Sequence, residues 1–285
     1  MTDPGEQLPE DSHVGRVALR VGSIDRVRPF YEEVVGLTAD RDGDRLSLGP
    51  TPDEPLLLLE EAPDAGERPP EAAGLFHLAI RAPNRGALGD AVGRLRAAGE
   101  SLTGASDHLV SEALYLRDPE GNGVEVYRDR PREAWPETDD GLVGMETLPL
   151  DLDDLEAAGE GTHADRLPPG TDVGHVHLEV SDLGRSEAFY ADALGLRLRD
   201  RYGASAAFLA AGDYHHHLGI NAWNGRSAPA GEHRGLAWWE LALPDQGALE
   251  AAVRRLEAAG QAADSRPEGV SLADPDGIEL RLAVR

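Results

Sequence analysis

Val14–Leu37 reads VGRVALRVGSIDRVRPFYEEVVGL, and Val173–Leu196 reads VGHVHLEVSDLGRSEAFYADALGL. The two align without a gap and share a Phe-Tyr pair, Phe30-Tyr31 in one and Phe189-Tyr190 in the other. A second pair of stretches matches in the same way. FHLAIRAPNRGALGDAVGRLRAAG at Phe76–Gly99 and AWWELALPDQGALEAAVRRLEAAG at Ala237–Gly260 repeat the proline, the Gly-Ala-Leu and the closing Ala-Ala-Gly. The order along the chain is therefore A, B, A′, B′, and a repeat of this length sets the fold before any single residue does.

Within each copy the apolar period switches from two (Val17, Leu19, Val21) to helical spacing (Leu88, Val92, Leu95), and the helices stop at Gly99 and Gly260. Three short strands follow; in the first copy they are expected near Leu37–Arg41, Arg45–Leu48 and Pro55–Glu61, with Asp42-Gly43-Asp44 turning a hairpin. Each copy reads βαβββ. The expected class is α+β, four βαβββ modules in tandem, paired into two curved mixed-sheet domains. The domains are expected at residues 13–130 and 173–285, with a linker at 131–172 rich in Pro, Gly and acidic residues. A short helix is expected from Leu152, and His163 reads as a solvated linker histidine.

Composition narrows the chemistry. At 285 residues and 40% hydrophobic content the chain can bury real cores. No apolar run approaches the roughly eighteen residues of a membrane span, and the start MTDPGEQLPEDSH lacks the basic flank and apolar core of a signal peptide. The expected location is the cytoplasm, with no membrane partner. Having no cysteine, the chain must bind any metal through histidine, carboxylate or backbone oxygen. A net charge of -26 disfavours nucleic acid. All 27 basic residues are arginine, which removes lysine Schiff bases and phosphate-loop lysines. A diffuse acidic surface without lysine points to a salt-rich, halophilic cytoplasm.

A lone histidine on an amphipathic strand is more often packing or surface than ligand. Here, however, His77 and His175 stand at the same point of their repeats, on the first strands of B and A′. If repeats pair through a pseudo-twofold, equivalent first strands face one cleft and the two imidazoles converge. Glu125 lies between Val124 and Val126 in GVEVYRD, so period two places it on the face opposite the valines. An unpaired carboxylate buried there would cost several kcal/mol. It needs a metal or an arginine, and the residues alone leave both open.

The βαβββ repeat with these residues resembles the vicinal oxygen chelate superfamily, which includes glyoxalase I, fosfomycin and bleomycin resistance proteins and extradiol dioxygenases. The stretches GASDHLVSEALYLRDPEGNGVEVYRDRP and GDYHHHLGINAW are similar to two-domain bacterial catechol 2,3-dioxygenases. The resemblance implies His77, Glu125 and His175 as metal ligands. It also implies Tyr115 and His108 beside them, and His216 as the acid/base that exchanges a proton with the diol. Two departures stand out. The fourth module has Trp238 where the second has His77, with Glu279 only four residues after Pro275, and the first has Arg16 where the third has His175. The full ligand set is thus found only by pairing the second module with the third, within one chain or across two copies of a homo-oligomer.

The implied activity is a metal-dependent extradiol cleavage of a catechol-type aromatic diol by O2. Fe(II) is the expected metal, with Mn, Zn or Ni as alternatives. Two other functions remain open: a glyoxalase-like isomerase or lyase using the metal as a Lewis acid, and a non-catalytic binding protein with a tryptophan-lined cleft.

Overall fold

The computed structural model describes residues 7–139, 141–162 and 164–285; His163 and the acidic start through Glu6 lie outside the described residues. The fold is mixed α+β, with its strands hydrogen-bonded into two sheets, of eight and nine strands. The first module comprises β1 (His13–Val21), α1 (Ile24–Pro29), β2 (Thr38–Asp42), β3 (Arg45–Gly49) and β4 (Leu57–Glu61). The second has β5 (Gly74–Arg81), α2 (Arg85–Ala98), β6 (Gly104–Asp107), β7 (Ser111–Arg117) and β8 (Gly123–Asp129). A two-residue strand, β9 (Leu148–Pro149), and the expected short helix, α3 (Leu152–Ala157), follow. The third has β10 (Asp172–Glu179), α4 (Leu183–Glu187), β11 (Arg197–Tyr202), β12 (Ala206–Ala210) and β13 (Leu218–Asn221). The fourth has β14 (Gly235–Leu243), α5 (Gln246–Ala258), β15 (Asp264–Arg266), β16 (Gly269–Ala273) and β17 (Glu279–Val284).

Local chemistry accounts for the element ends. Asn84 accepts the Ala87 N–H and Asp245 the Ala248 N–H, so equivalent caps start α2 and α5. Gly99, at φ 70°, ends α2 in the left-handed conformation that glycine adopts without steric cost. Past α1 and α4 the helix widens into a π-helical turn, at Phe30–Val35 and Ala188–Ala193. The second has no proline, so the widening belongs to the repeat and not to Pro29.

Two compact units are made of discontinuous segments: Ala18–Ala65 with His77–Gly174, and His175–Arg285 with Gly66–Phe76 and the segment through Val17. The first unit contains the strand order β5-β8-β7-β6-β9, with Ala79 opposite Glu125 across the parallel β5/β8 pair and Tyr115 opposite Glu125 across the antiparallel β7/β8 pair. The second contains β11-β12-β13-β10 and β15-β16-β17-β14.

Each unit is locked by the same device. Tyr31 and Tyr190, buried in the two π-helical turns, donate to Asp118 at 2.9 Å and Asp274 at 2.8 Å, in the Asp-Pro turns that precede β8 and β17. Two residues on, Glu120 accepts the Gly22 and Ser23 N–H groups, and Asp276 accepts the Ser181 N–H. These carboxylates hold module to module. Burial outweighs the donated hydrogen bonds and raises the Asp274 carboxyl to about 6.

Candidate metal centre

The site begins on β8. Val124 and Val126 are fully packed, and Glu125, on the opposite face, is only 2% exposed. Because Ala79 is its cross-strand partner, His77 lies two residues back on the same face of β5, and its Nε2 is 3.0 Å from Glu125 Oε2. Tyr115 borders the carboxylate from β7 and hydrogen-bonds to it. Burial first, and then the Glu125 charge and hydrogen bond, raise the Tyr115 hydroxyl well above the ordinary tyrosine range. The phenol therefore stays protonated and acts as a neutral donor.

His108 backs Tyr115. Its Nε2 is 2.8 Å from the Tyr115 hydroxyl and its Nδ1 2.6 Å from the Glu146 carbonyl oxygen. A carbonyl can only accept, so in the neutral ring Nδ1 carries the proton, and the single hydroxyl proton of Tyr115 goes either to Nε2 or to Glu125. The hairpin corner that aims His108 is unusual. Leu109 has φ 66°, sparsely populated by non-glycine residues, and its N–H donates to Asp107 at 2.9 Å.

His175 enters from β10. Val176 and Leu178 pack into the core, whereas His175 and His177 occupy the other face, each 3% exposed. The His216 ring centroid is 4.2 Å from that of His175, and the His215 ring 6.3 Å away. His215 Nδ1 and His216 Nδ1 are 2.8 Å apart, so one donates and the other accepts. His217 Nδ1 accepts the Ala211 N–H at 3.1 Å. Strand alternation would have put His215 and His217 on one face and His216 on the other. That rule does not apply, because the triplet precedes β13, and both His215 and His216 turn toward His175. Nor is the triplet a solvated loop, at 0%, 7% and 6% exposure.

One potential ligand atom from each of His77, Glu125 and His175 lies within 4.8 Å of the others, and all three residues are buried. Two imidazole nitrogens and one carboxylate oxygen form a donor set suited to Fe, Mn, Zn or Ni. A cation held there would compensate the desolvated Glu125 charge. The set fits a divalent metal on its chemistry.

The counterpart positions carry a different set. Trp238 holds the place of His77, with Arg281 stacked on its ring, the guanidinium carbon 3.7 Å from the centroid. On β14/β17 Glu240 faces Arg281, where the second module has Ala79 facing Glu125. Glu240 pairs with Arg16 and Arg285, each at 3.0 Å, and Glu279 pairs with Arg266 and Arg281.

Sequence reasoning missed Phe208, whose ring lies 5.0 Å from that of His216, and His177, 5.7 Å from Phe208. His177 was within reach of the period-two rule, standing two residues beyond His175.

Residues 13–126 and 172–282 match the Glyoxalase/Bleomycin resistance protein/Dioxygenase superfamily. The chain is 41% identical over 272 residues to a catechol-2,3-dioxygenase of Bacillus subtilis (strain 168), spanning 93% of this chain and 95% of that one. It is 30% identical over 161 residues to biphenyl-2,3-diol 1,2-dioxygenase 2 of Rhodococcus globerulus, spanning 53% of this chain and 84% of that one. In structure it is similar to glyoxalase I of Zea mays, with a TM-score of 0.59 at 18% identity over 96% of this chain and 92% of that one.

Proposed function

The chain belongs to the glyoxalase/bleomycin resistance protein/dioxygenase superfamily, and from that premise we propose that it is an extradiol dioxygenase. Its substrates are a catechol-type aromatic diol and O2, and its metal ligands are His77, Glu125 and His175. The observation that carries this reading is the convergence of those three buried donors. It is joined by 41% identity to a catechol-2,3-dioxygenase over nearly the whole length of both chains. A bound Fe(II) would supply the redox chemistry, because a face of two histidines and one carboxylate leaves positions open for diol and dioxygen.

The chain's own residues then have separable tasks. His216 holds or returns a diol proton at Nε2. Its Nδ1 shares one proton with His215 Nδ1, so when His216 Nδ1 donates, Nε2 has a lone pair and acts as base; when it accepts, Nε2 carries the proton. Tyr115, protonated, donates a hydrogen bond toward Glu125 or His108, and His108 fixes its direction. Burial of His77, Glu125 and His175 excludes bulk water from the ligand face.

The net charge of -26 with arginine as the sole basic residue fits the salt-rich cytoplasm proposed as the setting. Among the described residues no helix is long and apolar enough to cross a membrane. The test is anaerobic purification, metal analysis and an absorbance assay with catechols. A yellow ring-opened product that requires Fe(II) supports the reading; turnover of a thiol adduct with Zn or Ni and no oxygen uptake would replace it with the glyoxalase-like one.

A further inference from the structure

Residues 131–172, expected as a linker, include a stretch that holds His108 from two sides. The Glu146 N–H donates to the His108 carbonyl at 3.3 Å, and the Glu146 carbonyl faces His108 Nδ1 at 2.6 Å. Just beyond, β9 pairs with β6, Leu148 opposite Asp107 and Pro149 opposite Ser106. Asp151 then caps α3 by accepting the Asp153 and Asp154 N–H groups. A helix of six residues is too short to stand alone in water, so α3 depends on what it packs against, which is α2. Its Leu155 is fully buried, Asp154 pairs with Arg85 at 2.7 Å, and Asp153 and Glu156 pair with Arg96. Arg85 reaches on to the buried Glu112 of β7 at 3.0 Å, so the strap is tied to the sheet as well as to the helix.

A glycine admits α3. A Cβ at Gly89 of α2 would lie 2.4 Å from the Leu155 carbonyl oxygen and 2.6 Å from the Gly159 nitrogen, both backbone atoms that cannot swing aside as a side chain would. The repeat gives this glycine its meaning. Aligning Ala237–Gly260 on Phe76–Gly99 puts Glu250 of α5 in the place of Gly89 and Arg254 in that of Gly93, and these two side chains are 58% and 69% exposed. The fourth module also lacks the groups that lie beside the strap. Ser271 stands opposite Arg281 where Tyr115 stands opposite Glu125. The docked α3 therefore goes with the module that carries the metal donors and not with the repeat as such.

We propose that the strap from Glu146 to Ala157 is a positioning element of the site, acting by selecting the tautomer of His108. The Glu146 carbonyl keeps the proton of the neutral ring on Nδ1, which leaves the lone pair on Nε2, 2.8 Å from the Tyr115 hydroxyl. His108 then competes with Glu125 for the one phenol proton and draws it away from the carboxylate. With the ring proton on Nε2 instead, His108 would donate to the Tyr115 oxygen, and the phenol proton would be left to Glu125 alone. Glu125 would then be a poorer metal ligand. The strap touches no reacting atom and works only through His108. The tautomer follows from the geometry; its kinetic consequence rests on the extradiol reading.

The test is made on the full chain, metal-free and Zn(II)-loaded, by nitrogen NMR of isotope-labelled histidine at a pH where the His108 ring is neutral. The wild type should show Nδ1–H. Gly89→Ala, which in itself favours the α2 helix, should lift α3, seen as faster amide exchange over Leu152–Ala157, and return part of the ring to Nε2–H. Leu155→Asp should do the same by removing the buried anchor. In the iron-loaded enzyme each variant should lower kcat roughly tenfold with KM and iron content unchanged. Neither should lower it further in a His108→Asn background, because a residue that acts only through His108 has nothing left to position. An α3 that stays docked in both variants, a tautomer unchanged once α3 has lifted, or an equal loss of kcat in both backgrounds would overturn the proposal. A chain that shows the tautomer change but cleaves no catechol would keep the strap and remove the dioxygenase reading. Cleavage with an unchanged tautomer would do the reverse.

Discussion

The β5/β8 pair and the β14/β17 pair are built on one repeat and aligned in one register, yet only the first presents metal donors. Where β8 offers Glu125 opposite the small Ala79, β17 offers Arg281 opposite Glu240. Trp238 replaces His77, and Arg16 replaces His175. At the three ligand positions one region has two imidazoles and a carboxylate, and the other has two guanidiniums and an indole. Two fixed positive charges repel a cation, and Trp238 gives Arg281 an aromatic face on which to rest. The backbone of the repeat is therefore permissive, and a few side chains decide between a metal centre and a closed set of ion pairs.

The largest effects are expected at the proposed ligands. Glu125→Gln or His175→Ala should weaken metal binding by more than about 100-fold, since changing a residue that merely hydrogen-bonds a metal ligand can reach that range. Glu279→Gln and Arg281→Ala should leave metal content as in the parent, read by elemental analysis after gel filtration. Metal lost in the Glu279 variant would move the centre to the other region. A smaller effect is expected at His216, whose replacement by Asn should lower turnover by about two to four orders of magnitude with metal retained. Full activity, or loss of the metal, would remove its acid/base role.

The buried tyrosine–aspartate locks respond to pH. The folded Asp274 value of about 6 is above its ordinary 3.8, so its contribution to stability is complete below about 3.8 and is lost as pH rises through about 6. At about 1.4 kcal/mol for each pH unit, the loss amounts to about 3 kcal/mol. Asp274→Asn, which cannot ionise, should flatten this fall in denaturant unfolding measured between pH 4 and pH 7 (roughly the window set by the two values). Asp118→Asn should act in the same direction, because burial also raises Asp118. A wild-type fall that persists unchanged in Asp274→Asn would show that other groups cause it. The smallest effect belongs to the stacked arginine: Arg281→Leu should cost about 1 kcal/mol, a drop of roughly 2–4 °C in Tm.

Much of this was legible in the sequence because repeats and period two report backbone geometry directly. The strands near Arg45 and Leu57, the helix from Leu152 and the two-sided pattern around Glu125 all followed from spacing. His77 and His175 stood out because equivalent repeat positions mark equivalent places in space. The orientation of His215 and His216 was not legible, since alternation holds on strands and those residues precede one. The widening of the helices at Phe30 and Ala188 was not legible either: the residues the two copies share there, Arg26/Arg185, the Phe-Tyr pair and the closing Gly-Leu, suit an ordinary helix as well. The meeting of His177 and Phe208 was hidden for another reason: the two come from well-separated strands, and the register across Gly219 aligns them.

One Fe(II) at His77, Glu125 and His175 should support ring opening of a catechol. The most direct test is to titrate Fe(II) anaerobically into metal-free protein and record, at each step, bound iron and the rate of yellow product formation after oxygen is admitted. Activity should rise in proportion to iron and saturate at one ion per chain, with neither binding nor product in Glu125→Gln. Ring opening that persists in Glu125→Gln, or activity that does not follow iron, would contradict it.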